Sequence, residues 1–145
     1  MSSLTFDEAC ARRFEELKIR RKHRFLLFKL DEGGNMIVVD KVGTREETWE
    51  TLKSAMPERD CRFAVYDHEF DTDRGVKANK LWFIIWNPEN ATASKKMAMA
   101  ASKTRFQEST LPGCFEVQAA SLEELEVNIG FKKEDLGGDD FDFDD

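Results

Sequence analysis

Apolar residues along this chain alternate between helical and strand spacing, and the changes of spacing mark its elements. Cys10, Phe14 and Leu17 recur at four and three residues, which predicts a helix over Glu8–Lys18 with one buried face. Thr5 or Asp7 can cap it, and Met1–Phe6 reads as a short polar leader. Phe25–Leu30 and Met36–Val42 are apolar runs joined by Asp31-Glu32-Gly33-Gly34, the signature of a hairpin turn, with Gly43 ending the return strand. Thr44, with Glu47 three residues on, is a capping-box pattern. It predicts a helix over about Arg45–Ala55 that buries Trp49 and Leu52 and is closed by Pro57. Cys61–Asp67 is a third strand, and Glu69–Asn79 reads as a polar, charged loop around Gly75. Lys80–Trp86 is apolar nearly throughout, as a strand covered on both faces should be.

A long helix follows. Pro88 disfavours helical backbone at Asn87, Thr92 or Asn90 can cap, and good helix formers run from Ala91 with no Gly or Pro before Pro112. At helical spacing Met99 and Phe106 fall on one side, while Lys96, Ala100 and Lys103 fall with Met97 on another. Pro112-Gly113 then turns the chain into a fifth strand, Cys114–Ala119. Ser121 caps a last short helix that ends near Gly130. The interspersed order predicts one α/β domain over residues 1–133: a central mixed sheet of five to six strands sandwiched between helices.

Charge changes this picture at the C-terminus. The chain of 145 residues has a formal charge of −7, yet residues 134–145 hold seven acids and no base. The rest is balanced, with 22 bases against as many acids, so the folded part can carry opposed basic and acidic faces. The tail itself reads as disordered. No apolar run approaches a membrane span, and the N-terminus lacks a signal-peptide pattern. Three widely spaced cysteines make no disulfide framework and suggest a reducing compartment.

Enzyme signatures are missing: there is no phosphate-binding loop, nucleophile elbow or zinc-protease motif, and no cofactor is expected. His23 and His68 have no nearby nucleophile and read as surface or partly buried histidines. Asp71–Gly75 resembles a calcium loop but lacks its closing Glu. Lys18–Arg24 puts six basic or titratable side chains in seven positions. A solvated helix end explains that run, with nuclear import or an anionic lipid contact as weaker readings. Nucleic acid is a poor partner, because no aromatic platform accompanies the charge.

The long helix is the most informative stretch. Lys95, Lys96, Lys103 and Arg105 carry four positive charges, with no acid between Ala91 and Gln107. By itself this fits a helix packed on a sheet with wet lysines. However, Trp86, Pro88 and Lys96-Met97-Ala98-Met99-Ala100-Ala101-Ser102-Lys103 resemble the long-helix signature of the actin-depolymerising factor/cofilin family. DEACARRFEELKIRRKHRFLLFKL resembles that family's first helix and strand, MPERDCRFAVYDHEF its turn and strand, and NKLWFIIWNPE the strand that feeds the long helix. Four segments match in order and spacing, from about Ser2 to Lys133.

The resemblance implies the ADF-homology fold and a cytoplasmic, cytoskeletal protein. Such a protein binds actin monomers and filaments, prefers ADP-bound subunits, and severs and depolymerises filaments. By position, the monomer-binding surface would be Ser2, Ser3, Leu4, Lys95, Lys96, Met97 and Lys103. Filament-side contacts would add Lys80, with Lys132 and Lys133 as looser matches. Ser2 falls where the family carries a phosphorylatable serine, and phosphoinositide headgroups would compete for the same lysines. A monomeric state is expected, with the nucleus as a second location. Ser94 and Ala78 stand where the family usually has basic residues, although Lys95 and Lys77 are adjacent. Monomer sequestration, or binding an actin-related protein at filament branches, is therefore the alternative to severing.

Overall fold

The computed structural model describes residues 4–131. Ten elements follow one another: β1 (Thr5–Phe6), α1 (Glu8–Lys18), β2 (His23–Leu30), β3 (Met36–Thr44), α2 (Trp49–Ser54), β4 (Arg62–Asp71), β5 (Lys77–Trp86), α3 (Ala93–Thr110), β6 (Phe115–Ala119) and α4 (Leu122–Ile129). The strands form one sheet in the order β1-β3-β2-β4-β5-β6. β1 on β3 and β6 on β5 are parallel, and the inner pairs are antiparallel. The α/β sandwich read from the sequence is thus present, with six strands.

Side-chain alternation sorts the sheet into two buried faces. On one, Phe28, Phe63 and Phe83 meet Cys10, Phe14 and Leu17 of α1 and Met99 and Phe106 of α3. On the other, Phe25, Tyr66, Trp82 and Ile84 meet Leu52 of α2 and Leu125 and Ile129 of α4. The strands have few solvated positions in their middle because helices cover both sides.

The structure corrects the sequence reading in four places. The leader is partly a strand: Thr5 and Phe6 pair with Met36 and Ile37, but two residues are too few to show a period. Glu69–Asn79 is not a loop, since β4 and β5 pair continuously from Arg62↔Trp86 to Asp71↔Lys77. Its polar composition reflects a hairpin that projects beyond the core, turning at Gly75 with φ +78°. Gly43 does not end β3. A Cβ there would sit 2.5 Å from the ring of Phe25, so glycine is needed for close approach inside the strand. Finally, α2 starts at Trp49. Glu47 does accept from the Thr44 backbone N–H at 2.8 Å, but the capping box that opens the helix is Thr48 with Thr51. Leu52 is fully buried, and Trp49 only half so.

The basic run after α1 is more than a wet helix end. Arg45 donates to Asp67 at 2.9 Å and Glu69 at 2.8 Å, Arg24 donates to Glu69 at 3.0 Å, and Arg21 pairs with both acids. Asn79 adds a bond to Asp67 at 2.9 Å. Asp67 has no exposed surface, so these partners offset the cost of burying its charge. The cluster ties the α1–β2 turn and the β3–α2 turn to the base of the β4–β5 hairpin.

A second tie joins α1 to β2. Glu16 contacts His23 at 2.8 Å and accepts from Arg13 at 3.0 Å. The bond to His23, then that to Arg13, hold the Glu16 carboxyl down at about 2, from an ordinary 4.5. A carboxylate depressed on folding adds stability above its unfolded value and loses it as pH falls through the folded one. Glu16→Gln should therefore be less stable than wild type at pH about 6, and the gap should close on going down towards pH about 2. Urea midpoints taken across that range check it. A gap independent of pH would show that the carboxylate charge contributes nothing.

Candidate functional site

The geometry of α3 begins with its start. β5 ends at Trp86, Ala91 donates to the Pro88 carbonyl at 3.1 Å, and Thr92 caps the helix by accepting from Lys95 N–H. Met99, Ser102, Phe106 and Thr110 form the buried stripe. Ser102 satisfies its hydroxyl by donating to the Met99 carbonyl at 3.2 Å, so a polar residue sits in the stripe without an orphaned group. Of the small residues between, Ala98 is half-buried, and Ala100 and Ala101 face solvent.

Turned away from that stripe, Met97 is 72% exposed. It is a large apolar side chain left in water, next to Lys96. Lys96 donates to the Glu89 carbonyl at 2.9 Å, Lys95 pairs with Asp60 at 3.2 Å, and Lys103 pairs with Glu116 at 3.4 Å. Lys96, Ala100 and Lys103 line one small cleft with Cys61, Asn87 and Gln118. Burial raises the Asp60 carboxyl, but hydrogen bonds from Arg62 and Lys95 outweigh it and leave the group below its ordinary value.

Two cations in the first turn of α3, with no acid there, run against the helix dipole. That placement costs roughly 0.3–1 kcal/mol per charge at an exposed site. The Lys95 pair with Asp60 and the Lys96 bond to the Glu89 carbonyl offset part of that cost, while Met97 has no such partner role among the described residues. An exposed apolar anchor among cations at a helix start instead suits an apolar groove rimmed with acids on a partner.

Leu4 meets α3 further along the helix. Its carbonyl accepts from Arg105 of α3 at 2.9 Å, and the Arg105 guanidinium lies 4.5 Å from the Phe6 ring centroid. Arg105 is the residue that the sequence reading counted as charge but did not place in the site. A contact spanning 101 residues has no local signal. Ser2, Ser3, Lys132, Lys133 and the acidic tail lie outside the described residues.

Lys80 sits elsewhere. Its ammonium is 4.5 Å from the Trp82 ring centroid and 4.3 Å from that of Phe115, on the sheet face opposite α3. Lys77 pairs with Asp71 across the hairpin at 3.2 Å. Thus Lys95, Lys96, Met97 and Lys103 all stand on α3, Leu4 is tied to the same helix at Arg105, and Lys80 belongs to the opposite sheet face. His68, beside Lys80 in the ladder, is buried and stacks on Phe131 with centroids 4.0 Å apart.

Known proteins are similar to this chain over most of its length. Actin-depolymerizing factor 10 of Arabidopsis thaliana is 37% identical over 128 residues, 88% of this chain and 91% of that one. Actophorin of Acanthamoeba castellanii is 37% identical over 125 residues, 86% of this chain and 90% of its own. The crystal structure of Streptomyces griseoflavus cofilin superposes with a TM-score of 0.80 at 31% identity, covering 90% of this chain and 96% of that one. The family model described as cofilin/tropomyosin-type actin-binding protein matches residues 3–133, and the chain belongs to that family.

Proposed function

We propose that this protein binds actin monomers and filaments, prefers ADP-bound subunits, and severs and depolymerises filaments, so speeding actin turnover in the cytoplasm. The observation that carries the reading is Met97, 72% exposed between lysines at the start of α3. No packing demand explains it, and the relatives named for actin depolymerisation supply the partner. Met97 fills an apolar groove on actin while Lys95, Lys96 and Lys103 meet acids at its rim. Leu4 extends the contact, and the adjoining Ser2 and Ser3 complete it. A phosphate on Ser2 would pair with these lysines and repel the acidic partner. Phosphoinositide headgroups compete for the same lysines, and the protein acts as a monomer.

Lys80 serves filaments through its separate surface, joined by Lys132 and Lys133. Lys80→Ala is expected to leave monomer affinity unchanged and to weaken filament binding several-fold, by roughly 1 kcal/mol, the scale of a rim charge. Parallel titrations with monomers and filaments check this. Equal losses in both would place Lys80 in the monomer surface.

Co-sedimentation with pre-formed filaments tests the whole reading, scoring both the protein in the pellet and the actin released to the supernatant. Pelleting together with released actin is the expected result. Release without pelleting would mean sequestration, and neither effect would move the partner away from actin.

A further inference from the structure

The acidic stretch at the C-terminus is a strongly charged motif to which the actin reading gives no role. The described chain ends beside a surface that suits it. Phe131, the last described residue, lies against His68 and 6.2 Å from Trp82, and Trp82 in turn is 6.2 Å from Phe115. Lys80 lies over the last two of these rings. From there a groove of about 460 Å³ opens towards the end of α1, lined by Lys18, Ile19, Arg21, Lys80 and Phe115 among others. Ile19 is 66% and Phe115 55% exposed, and no carboxylate is among its described lining residues. An apolar groove rimmed by cations calls for a ligand with both rings and acids.

We propose that residues 134–145 of the same chain dock into this groove. Charge is complementary, with seven acids in the segment and three cations at the groove. Phe141 and Phe143 alternate with Asp140, Asp142 and Asp144, so rings and carboxylates come at the two-residue spacing of an extended strand. Reach is ample. Ten residues from Phe131 to Phe141 span up to about 33 Å, while Phe115 of the groove lies two ring contacts away, through Trp82. Tethering at this range gives an effective concentration on the order of millimolar, so a weak contact suffices. Lys80 lies over both the Trp82 and Phe115 rings, so the docked segment meets this cation where it meets the rings. The docked segment covers the Lys80 surface and competes there with any acidic partner.

The test needs no actin, so its failure is distinct from failure of the actin reading. Amide spectra of the ¹⁵N-labelled full chain are compared with two full-length variants. One carries Asp139→Asn, Asp140→Asn, Asp142→Asn, Asp144→Asn and Asp145→Asn, and the other Phe141→Ser with Phe143→Ser. At low salt the Trp82 indole N–H and the Leu81 and Phe115 amides are expected to shift in both variants. In the Asp variant that difference should shrink at about 1 M salt, where screening reaches within about 3 Å. Unchanged signals at these three residues, or shifts confined to Lys95–Lys103, would overturn the proposal.

Discussion

Changing Lys96 and Met97 together to alanine is expected to weaken actin-monomer binding at least ~100-fold while leaving the melting temperature nearly unchanged. The two halves of that result rest on different physics. Stability is spared because Met97 is already in water, and the ammonium of Lys96 donates to an exposed carbonyl. Alanine is also the better helix former, and losing a cation from the first turn relieves the dipole. Binding is lost because an apolar anchor in a desolvated groove is worth roughly 2 kcal/mol or more, and a neighbouring charge adds to it. Titration of labelled ADP-actin monomers, with a thermal melt alongside, reads both halves. A folded double variant that binds normally would remove α3 from the interface.

Phe106→Ala should act in the opposite way, costing stability first. Phe106 is wholly buried, and its ring lies 4.9 Å from Phe6, 5.1 Å from Phe28 and 5.3 Å from Phe63. Truncating such a residue removes its burial and leaves a cavity, together costing about 3–5 kcal/mol. For a chain of this size the melting temperature falls by about 10 °C. Phe106→Leu keeps most of the volume and should cost under about 1.5 kcal/mol. Calorimetry on both variants decides. A loss below about 1 kcal/mol for the alanine variant would mean that α3 is not held by this ring. Both substitutions lie on one helix, and their contrast separates its packed stripe from its outward face.

Periodicity made the helices and central strands legible. Cys10, Phe14 and Leu17 on α1, and Met99 and Phe106 on α3, are buried as their spacing implies. The caps Asp7, Thr92 and Ser121, and the left-handed Gly130, stand where short polar residues and glycine pointed. The sequence failed where tertiary contact decides. β1 exists because Met36 and Ile37 offer an edge, and the β4–β5 hairpin extends into water where no apolar alternation marks it. The α2 start was misread because Glu47 makes its backward bond in a turn instead of a helix.

The surface on α3 was legible for the same reason that its core stripe was. Lys96, Met97 and Lys103 are close in sequence, and helical spacing separates them from Met99 and Phe106. Arg105 holding the Leu4 carbonyl, Asp60 holding Lys95 and the rings under Lys80 join distant segments, and no local pattern encodes them.

The central claim, that actin docks on the outward face of α3, is tested most directly at the methionine methyl groups. Met97 is 72% exposed, Met99 is 3% exposed beneath it, and Met56, at 8%, belongs to the opposite sheet face. With ¹³C-methyl methionine and added ADP-actin monomers, the Met97 signal should shift or broaden first while that of Met56 stays put. Binding that moves Met56 and leaves Met97 untouched would contradict the account.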